Sequence, residues 1–242
     1  ARLKADALGL QAEDFEKEKV NFDELYTGFS EQRVPKRTID QFFKNPLLER
    51  RGLGTYPNEF ILLRDKTNER RTALARVLRP GAVKHLSSEY DEFWNLTARN
   101  REQRMALELL MDPEVQIITL VGQAGTGKTL LALAAALQST LRRHAYDRIL
   151  VTRPIIPMGK DIGYLPGPKG EKLSHWMQPI FDNLTYLMRE DSTPSEIKAK
   201  KKPRSSAQDR TEQLLNDRVI ELEALTYIRG RSIPGQYIIV DE

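Results

Sequence analysis

The feature that most constrains the fold is a glycine-rich segment, Gly122 to Thr129, which reads GQAGTGKT. It matches the pattern G-x-x-x-x-G-K-[ST] and lies between two apolar runs, Val115 to Val121 and Leu130 to Leu137. This order predicts a strand, a phosphate-binding loop and a helix. Glycines let successive backbone N–H groups point at one phosphate, and the helix directs the positive end of its dipole at the same charge. The fold class that follows is α/β, a P-loop core with a parallel sheet.

All eight residues of the loop are expected to bind the phosphates of a nucleotide. Lys128 is expected to place its positive charge beside the β- and γ-phosphates, and the Thr129 hydroxyl is the expected ligand of Mg²⁺. The expected contacts are Gly122, Gln123, Ala124, Gly125, Thr126, Gly127, Lys128 and Thr129.

A third apolar run, Tyr237 to Val240, ends in two acids, Asp241 and Glu242. A buried parallel strand of this kind carries a carboxylate at its carboxyl end, facing the nucleotide crevice. Asp241 is therefore expected to hold Mg²⁺, directly or through water, and Glu242 to orient or deprotonate the attacking water. A strand followed by a solvated turn would explain the same residues, but the phosphate loop upstream favours the catalytic interpretation.

The composition is that of a soluble globular chain, with 242 residues of which 40% are hydrophobic and 30% charged. No apolar run reaches the 18 or so residues that a membrane helix needs, and Ala1 to Lys4 lacks a signal-peptide core. We therefore expect a cytoplasmic protein without membrane contact. The absence of cysteine excludes disulfides and thiolate zinc sites, and the three histidines are too scattered to predict a metal centre.

The net charge of +4 is too small to predict nucleic-acid binding by itself. Basic residues nevertheless gather at 64–79, 99–104 and 198–204, whereas acids cluster between Glu13 and Glu24. A solvated loop and a nucleic-acid contact both remain open for the run at 198–204.

The periodicity divides the chain into a mixed region, 31–96, and an α/β region, 97–242. The mixed region carries one helix pattern and two short strand patterns, which predict a small β-rich linker module. The α/β region alternates strands and helices as a parallel sheet requires. The expected elements are helices at 37–43, 100–111, 128–141 and 173–188, a short helix capped by Thr193 and Glu196, and strands at 59–63, 72–78, 115–121, 148–152, 219–225 and 237–240.

The nucleotide base is expected to be adenine. Guanine-binding switch proteins need an Asp-x-x-Gly after the phosphate loop, and this chain has none. Gln103 lies near the start of the helix that leads into the loop, where its amide can both donate and accept hydrogen bonds against adenine N6 and N7. That interpretation predicts ATP, while an ordinary exposed glutamine is the alternative.

Together these motifs resemble the PhoH-like ATPases, and specifically the form in which a PIN ribonuclease domain precedes the PhoH domain. The resemblance implies a core like that of superfamily 1 helicases, with ATP hydrolysis coupled to unwinding or remodelling of single-stranded RNA in a ring-shaped homo-oligomer such as a hexamer. The segments that carry the resemblance are Arg101-Glu102-Gln103, Gly122 to Thr129, Val151 to Pro154, Gly163 to Gly167, Tyr227 to Arg231 and Ile239 to Glu242.

The same resemblance implies further site residues and a domain arrangement. Thr152, Arg153 and Pro154 look like the helicase motif that touches a single-stranded backbone. Arg229 and Arg231 look suited to the nucleic acid or to an adjacent subunit, with a surface ion pair as the alternative. Residues 1–30 resemble the tail of a PIN domain without its nuclease carboxylates, and 97–242 an ATPase domain cut after its second motif, so no nuclease activity is expected.

Two other functions fit a phosphate loop. One is a phosphotransferase that uses the loop between Pro154 and Gly170 to bind a small-molecule or protein acceptor. The other is a nucleotide-binding scaffold whose ATP orders an assembly without turnover. Stimulation of ATP hydrolysis by RNA would distinguish an RNA-remodelling ATPase from a phosphotransferase and from a scaffold.

Overall fold

The computed structural model describes residues 26–90, 92–94, 96–154, 169–189, 206–228 and 230–241. The chain divides into two compact units, 1–85 and 86–242, and each contains its own hydrophobic core. The predicted PIN-like tail up to residue 25, the helix cap at Thr193, the basic run 198–204, Arg229 and Glu242 lie outside the described residues. No helix in the described ranges is both long and apolar enough to cross a bilayer.

The first unit contains a five-stranded sheet in the order β1-β3-β4-β5-β2. Strand β1 runs parallel to β3, and the other neighbours are antiparallel. The elements are β1 (Phe29–Val34), α1 (Lys36–Lys44), β2 (Leu47–Glu49), β3 (Phe60–Asp65), β4 (Thr72–Arg79) and β5 (Ala82–His85).

Helix α1 covers this sheet because its apolar residues fall on one side. Ile39 and Phe42 are fully buried in a core that also contains Leu63 and Val77, and the Phe42 ring stacks on the His85 ring with centroids 3.9 Å apart. The exposed residues of the helix are polar except for Phe43, as expected for a largely amphipathic helix on a sheet.

A buried carboxylate, Glu59, ties together three segments of this unit. Its Oε1 accepts a hydrogen bond from Ser30 Oγ at 2.6 Å, and its Oε2 accepts from the backbone N–H groups of Thr55 and Tyr56 at 2.9 and 3.1 Å. Burial alone would raise the pKa of Glu59, but these hydrogen bonds together hold it below its ordinary value. The ionised form is therefore the one that the fold stabilises.

Replacing Glu59 by glutamine is expected to destabilise the first unit by about 2 kcal/mol at neutral pH, because an amide cannot accept all three hydrogen bonds. Since the folded pKa lies below the unfolded one, the carboxylate's contribution is present above the unfolded pKa and is lost as pH falls through the folded pKa. Urea unfolding of both proteins should show a difference that shrinks in acid. A difference that is the same at neutral and acidic pH would contradict this role.

The second unit contains a three-stranded, entirely parallel sheet in the order β10-β8-β9, as the α/β pattern predicts. A short hairpin, β6 with β7, precedes it. The elements are β6 (Glu92–Phe93), β7 (Leu96–Thr97), α2 (Arg101–Leu110), α3 (Lys128–Leu137), β8 (Arg148–Arg153), α4 (Lys169–Leu187), α5 (Ala207–Asn216), β9 (Ile220–Ala224), α6 (Leu225–Ile228) and β10 (Gln236–Val240).

The core of this unit lies between α3 and one face of the sheet. Leu133 and Leu137 of α3 are fully buried together with Ile149 and Val151 of β8. Helix α4 adds its own apolar stripe to the same core, including Ile180. The predicted helical stripe is thus confirmed for the part of α4 whose side chains the structure describes, 177–187.

One predicted strand is wrong. Residues Val115 to Val121 form no strand, although they lead into the phosphate loop as expected. Ile118 and Leu120 pack against the core, whereas the side chains of Ile117 and Val121 are 87% and 57% exposed. The segment alternates as an extended chain does, but a strand also needs a hydrogen-bonded neighbour. Within the described ranges, β10 pairs only with β8, and nothing pairs with 115–121.

Candidate nucleotide-binding site

The phosphate loop takes the shape that its glycines allow. Gly125 and Gly127 have φ angles of 78° and 89°, the left-handed region that other residues enter only at a cost of about 1–2 kcal/mol. Gly127 is also the N-cap residue of α3, which begins at Lys128. The first N–H groups of a helix have no partner inside it, so this end of α3 offers both donors and a positive dipole to an anion.

Lys128 is held over the loop by the loop's own backbone. Its Nζ donates to the carbonyl oxygens of Gly122 and Gln123 at 2.7 and 2.9 Å. The loop from Gly122 to Thr126 is exposed, so phosphates can approach it from solvent. The ammonium group is thereby held by the loop itself, and its contact with the β- and γ-phosphates stays a prediction.

The two motifs meet at Asp241. The Thr129 hydroxyl donates to Asp241 Oδ1 at 2.5 Å, and Arg153 Nε lies 3.2 Å from Asp241 Oδ2. The strands explain this arrangement: β8 and β10 are parallel, with Thr152 opposite Val240, so the next residues, Arg153 and Asp241, emerge at the same edge of the sheet. The Asp241 backbone N–H also donates to the Thr152 carbonyl at 2.9 Å.

These oxygens fit a magnesium ion. Mg²⁺ in nucleotide sites is usually bound by one or two protein oxygens together with substrate phosphates and water. Thr129 Oγ1 and Asp241 Oδ1 already converge at hydrogen-bond distance. No group of three or more acidic or histidine side chains that could hold a metal by itself occurs in the described part of the chain. A site completed by the substrate is therefore the kind that these residues can form.

Gln103 links α2 to the phosphate loop. Its Nε2 donates to the Thr126 carbonyl at 3.2 Å, and its Oε1 accepts from the Arg99 backbone N–H at 2.9 Å. Asn100 caps the same helix by accepting from the Gln103 backbone N–H at 2.8 Å. These contacts use one of the two amide N–H groups and one of the two oxygen lone pairs of Gln103, and its contact with adenine stays a prediction.

The residues predicted to contact nucleic acid have different environments. Thr152 is fully buried, so its side chain does not reach the surface in this structure, and the partly exposed Arg153 places its Nε 3.2 Å from Asp241 Oδ2. Arg231 forms a short ion pair with Glu223, which is the surface ion pair that the sequence left open. Pro154 follows β8 and is partly exposed.

Two sets of contacts were not predicted from the sequence. One is the contact of Arg153 with Asp241, and the other is the pair of hydrogen bonds that Gln103 makes with Arg99 and Asn100. The sequence places Arg153 and Asp241 each at the end of an apolar run, but only the structure shows that the two strands are neighbours. The second depends on local cap geometry, for which the Asn-x-x-Gln spacing is a weak signal.

A phosphate loop at the start of a helix, joined through a hydroxyl to an acid at the end of a parallel strand, defines a P-loop nucleotide-binding protein. Residues 95–242 match the family model described as PhoH-like protein. The chain therefore belongs to the PhoH-like family, a family of P-loop ATPases.

Several curated proteins are similar to the whole chain. Protein PhoH2 of Bacillus subtilis is 44% identical over 246 residues, an alignment that covers 100% of this chain and 52% of the relative. Proteins named PhoH2 from Thermobispora bispora and Mycolicibacterium smegmatis are each 35% identical over 245 residues and are covered to 50% of their length. The chain thus spans about half the length of these relatives.

Proposed function

We propose that this chain hydrolyses ATP with Mg²⁺ and couples the hydrolysis to unwinding or remodelling of RNA. The observation that carries the proposal is the hydrogen bond from Thr129 to Asp241. It joins the phosphate loop to the acid at the end of β10, the two parts that a nucleotide-hydrolysing site requires.

Each residue has a defined task in this proposal. Lys128 neutralises the β- and γ-phosphates, the N-terminal end of α3 binds them through backbone N–H groups, and Gln103 contacts adenine. Thr129 and Asp241 hold Mg²⁺, which when bound neutralises charge on the phosphate oxygens. Glu242 orients or deprotonates the attacking water.

The contact of Arg153 with Asp241 supports coupling to a second ligand. With a metal ion held at Oδ1, Asp241 would attract the Arg153 guanidinium at Oδ2 less strongly, because part of the carboxylate charge would be neutralised. Arg153 ends β8, and Pro154 and the chain beyond it follow directly. A change of partner at Arg153 is therefore a physical route by which the nucleotide can act on a segment proposed to touch RNA.

The remaining parts of the proposal rest on the family resemblance. They are a superfamily 1 helicase-like core, single-stranded RNA as partner through Thr152, Arg153, Pro154, Arg229 and Arg231, a ring-shaped homo-oligomer, and association of the activity with PIN-domain RNA cleavage. No nuclease activity is proposed for this chain. For Thr152, contact with RNA requires a conformation other than the one described.

The test is ATP hydrolysis measured with single-stranded RNA, with single-stranded DNA and without nucleic acid. We expect RNA to raise the rate of ATP hydrolysis, because the proposal couples hydrolysis to RNA binding. Hydrolysis that ignores RNA, accompanied by phosphate transfer to a cellular acceptor, would favour a phosphotransferase. ATP binding without turnover under any of these conditions would favour a scaffold.

Replacing Gln103 by alanine is expected to reduce the preference for ATP over GTP by about tenfold, the effect of losing one bidentate base contact. The preference is measured as the ratio of the two dissociation constants. The ratio is informative because loss of the contact with Thr126 would distort the phosphate loop and would weaken the binding of ATP and GTP equally. If Gln103→Ala lowers the affinity for both nucleotides but leaves the ratio of the two dissociation constants unchanged, Gln103 does not contact adenine.

A further inference from the structure

The positive charge of this chain is concentrated in the first unit. Residues 26–85 contain 13 lysines and arginines but only six acids, a net charge of +7. Residues 1–25 contain four basic and seven acidic residues, a net charge of −3, so the first unit as a whole carries the +4 of the chain. Residues 86–242 contain 21 of each sign and are neutral. The excess therefore belongs to the small β-sheet unit and not to the unit with the nucleotide site.

All six acids of this stretch are occupied inside the unit. Four of them form ion pairs with arginines, and the other two, Glu59 and Asp65, accept hydrogen bonds from hydroxyl and backbone N–H groups. The ion pairs are Glu31 with Arg64, Asp40 with Arg71, Glu49 with Arg79 and Glu69 with Arg33. Nine lysines and arginines of this stretch lie outside these four ion pairs.

Five of those cations lie around one exposed helix face. We call this set, Lys36, Arg37, Lys44, Lys66 and Arg70, the α1 basic surface. All five side chains are exposed, and none of them forms an ion pair with another described residue. Each therefore presents a full positive charge to solvent.

The backbone brings these residues together. Arg37 and Lys44 are seven residues apart on α1, which places them two turns apart on the same side of the helix. The Lys66 backbone N–H donates to the Val34 carbonyl at 3.1 Å, and Lys36 follows Val34 by two residues.

The turn between β3 and β4 is held against the same helix. Arg71 pairs with Asp40 in the middle of α1, and Arg70 precedes Arg71. The charges therefore form a row along α1 that continues onto this turn.

An exposed aromatic ring lies at the end of the row. Phe43 is 61% exposed and precedes Lys44, and its ring lies at 63° to the His85 ring, with centroids 5.9 Å apart. A fixed, exposed ring beside cations is the combination on which bases stack when a protein binds single-stranded nucleic acid. An anionic bilayer also accommodates cations beside an exposed aromatic ring, and the measurement with phosphatidylserine vesicles separates that ligand from nucleic acid.

We propose that the α1 basic surface binds the sugar-phosphate backbone of single-stranded nucleic acid, with Phe43 as a stacking position. This gives the β-sheet unit a binding function of its own, separate from the nucleotide site. It rests on the proposed function only in the choice of RNA as the first probe.

The test is the anisotropy of a fluorescent uridine oligonucleotide titrated with the full chain at several salt concentrations, without ATP. We expect the triple variant Lys36→Gln, Arg37→Gln, Lys44→Gln to bind about tenfold or more weakly. Its plot of log affinity against log salt should be shallower by about 2, since each phosphate contact on a single strand contributes about 0.7. Phe43→Ala should weaken binding by about fivefold or more at unchanged salt slope.

The matched control is the triple variant Arg142→Gln, Arg189→Gln, Arg218→Gln, which removes an equal number of positive charges from exposed positions of the second unit. This control should bind as the wild type does, and circular dichroism should show all variants folded. Equal weakening of both triple variants would mean that only net charge matters, and no weakening of the α1 variant would mean that the surface is not used. Either result overturns the proposal, as would binding to phosphatidylserine vesicles with none to the oligonucleotide.

The outcome is separable from that of the proposed function. Hydrolysis that ignores RNA, together with oligonucleotide binding that follows the α1 variants, would overturn the motor function and leave this surface intact. RNA-stimulated hydrolysis together with an α1 variant that binds the oligonucleotide normally would support the motor function and overturn the proposed role of the α1 basic surface.

Discussion

Replacing Lys128 by alanine is expected to lower the rate of ATP hydrolysis by about 10³-fold or more. Catalysis of phosphoryl transfer consists mostly of positioning and of electrostatic stabilisation of the transferring group, and removing one fixed donor from such a site costs about 10²–10³-fold. Lys128 contributes more than one hydrogen bond, because it carries a full charge that the loop carbonyls of Gly122 and Gln123 hold in place. The measurement is steady-state phosphate release at saturating ATP.

The matched control for Lys128→Ala is Arg218→Ala, which removes an exposed cation from the same unit and should leave hydrolysis unchanged. Thermal unfolding of Lys128→Ala should match the wild type, since the Lys128 ammonium contacts only exposed loop carbonyls. Turnover that survives the substitution at more than a tenth of the wild-type rate would mean that hydrolysis occurs elsewhere or in a contaminant.

Replacing Asp241 by asparagine is expected to lower hydrolysis by about 10²-fold and to shift its magnesium requirement to higher concentration. Asparagine keeps the size of the side chain and an oxygen that can accept from Thr129. It loses the negative charge that attracts the metal and that pairs with Arg153. ATP binding in the presence of a chelator should be affected much less, because the phosphate contacts belong to the loop.

A magnesium titration of hydrolysis, beside ATP binding in a chelator, separates these effects. Asp217→Asn is the control, since Asp217 is exposed at the carboxyl end of α5 and its loss changes the net charge equally. An unchanged magnesium requirement in Asp241→Asn would mean that Asp241 does not hold the metal.

The elements nearest the motifs were predictable from sequence because local and tertiary signals agree there. Helix α3 begins at Lys128, and β8 and β10 occupy the predicted apolar runs. The segment Val115 to Val121 was not predictable by the same reasoning. Its alternation indicates an extended chain, but whether such a chain becomes a strand depends on a neighbour that periodicity does not reveal.

The sequence identifies the candidate residues of the site, but it does not show which of their side chains contact one another. The spacing within the phosphate loop gives Lys128 and Thr129 their tasks, yet only the parallel register of β8 and β10 shows that Arg153 faces Asp241. Likewise, the sequence shows basic residues at 64–79 but not that Arg64, Arg71 and Arg79 are paired with acids. Pairing decides which cations are available, and pairing is a property of the folded chain.

The most direct test of the central claim, that ATP with Mg²⁺ binds between the phosphate loop and Asp241, is calorimetric titration of ATP into the chain with magnesium and with a chelator. We expect one ATP per chain, bound more tightly with magnesium, and loss of the magnesium effect in Asp241→Asn. Absence of ATP binding, or a magnesium effect that Asp241→Asn retains in full, would contradict it.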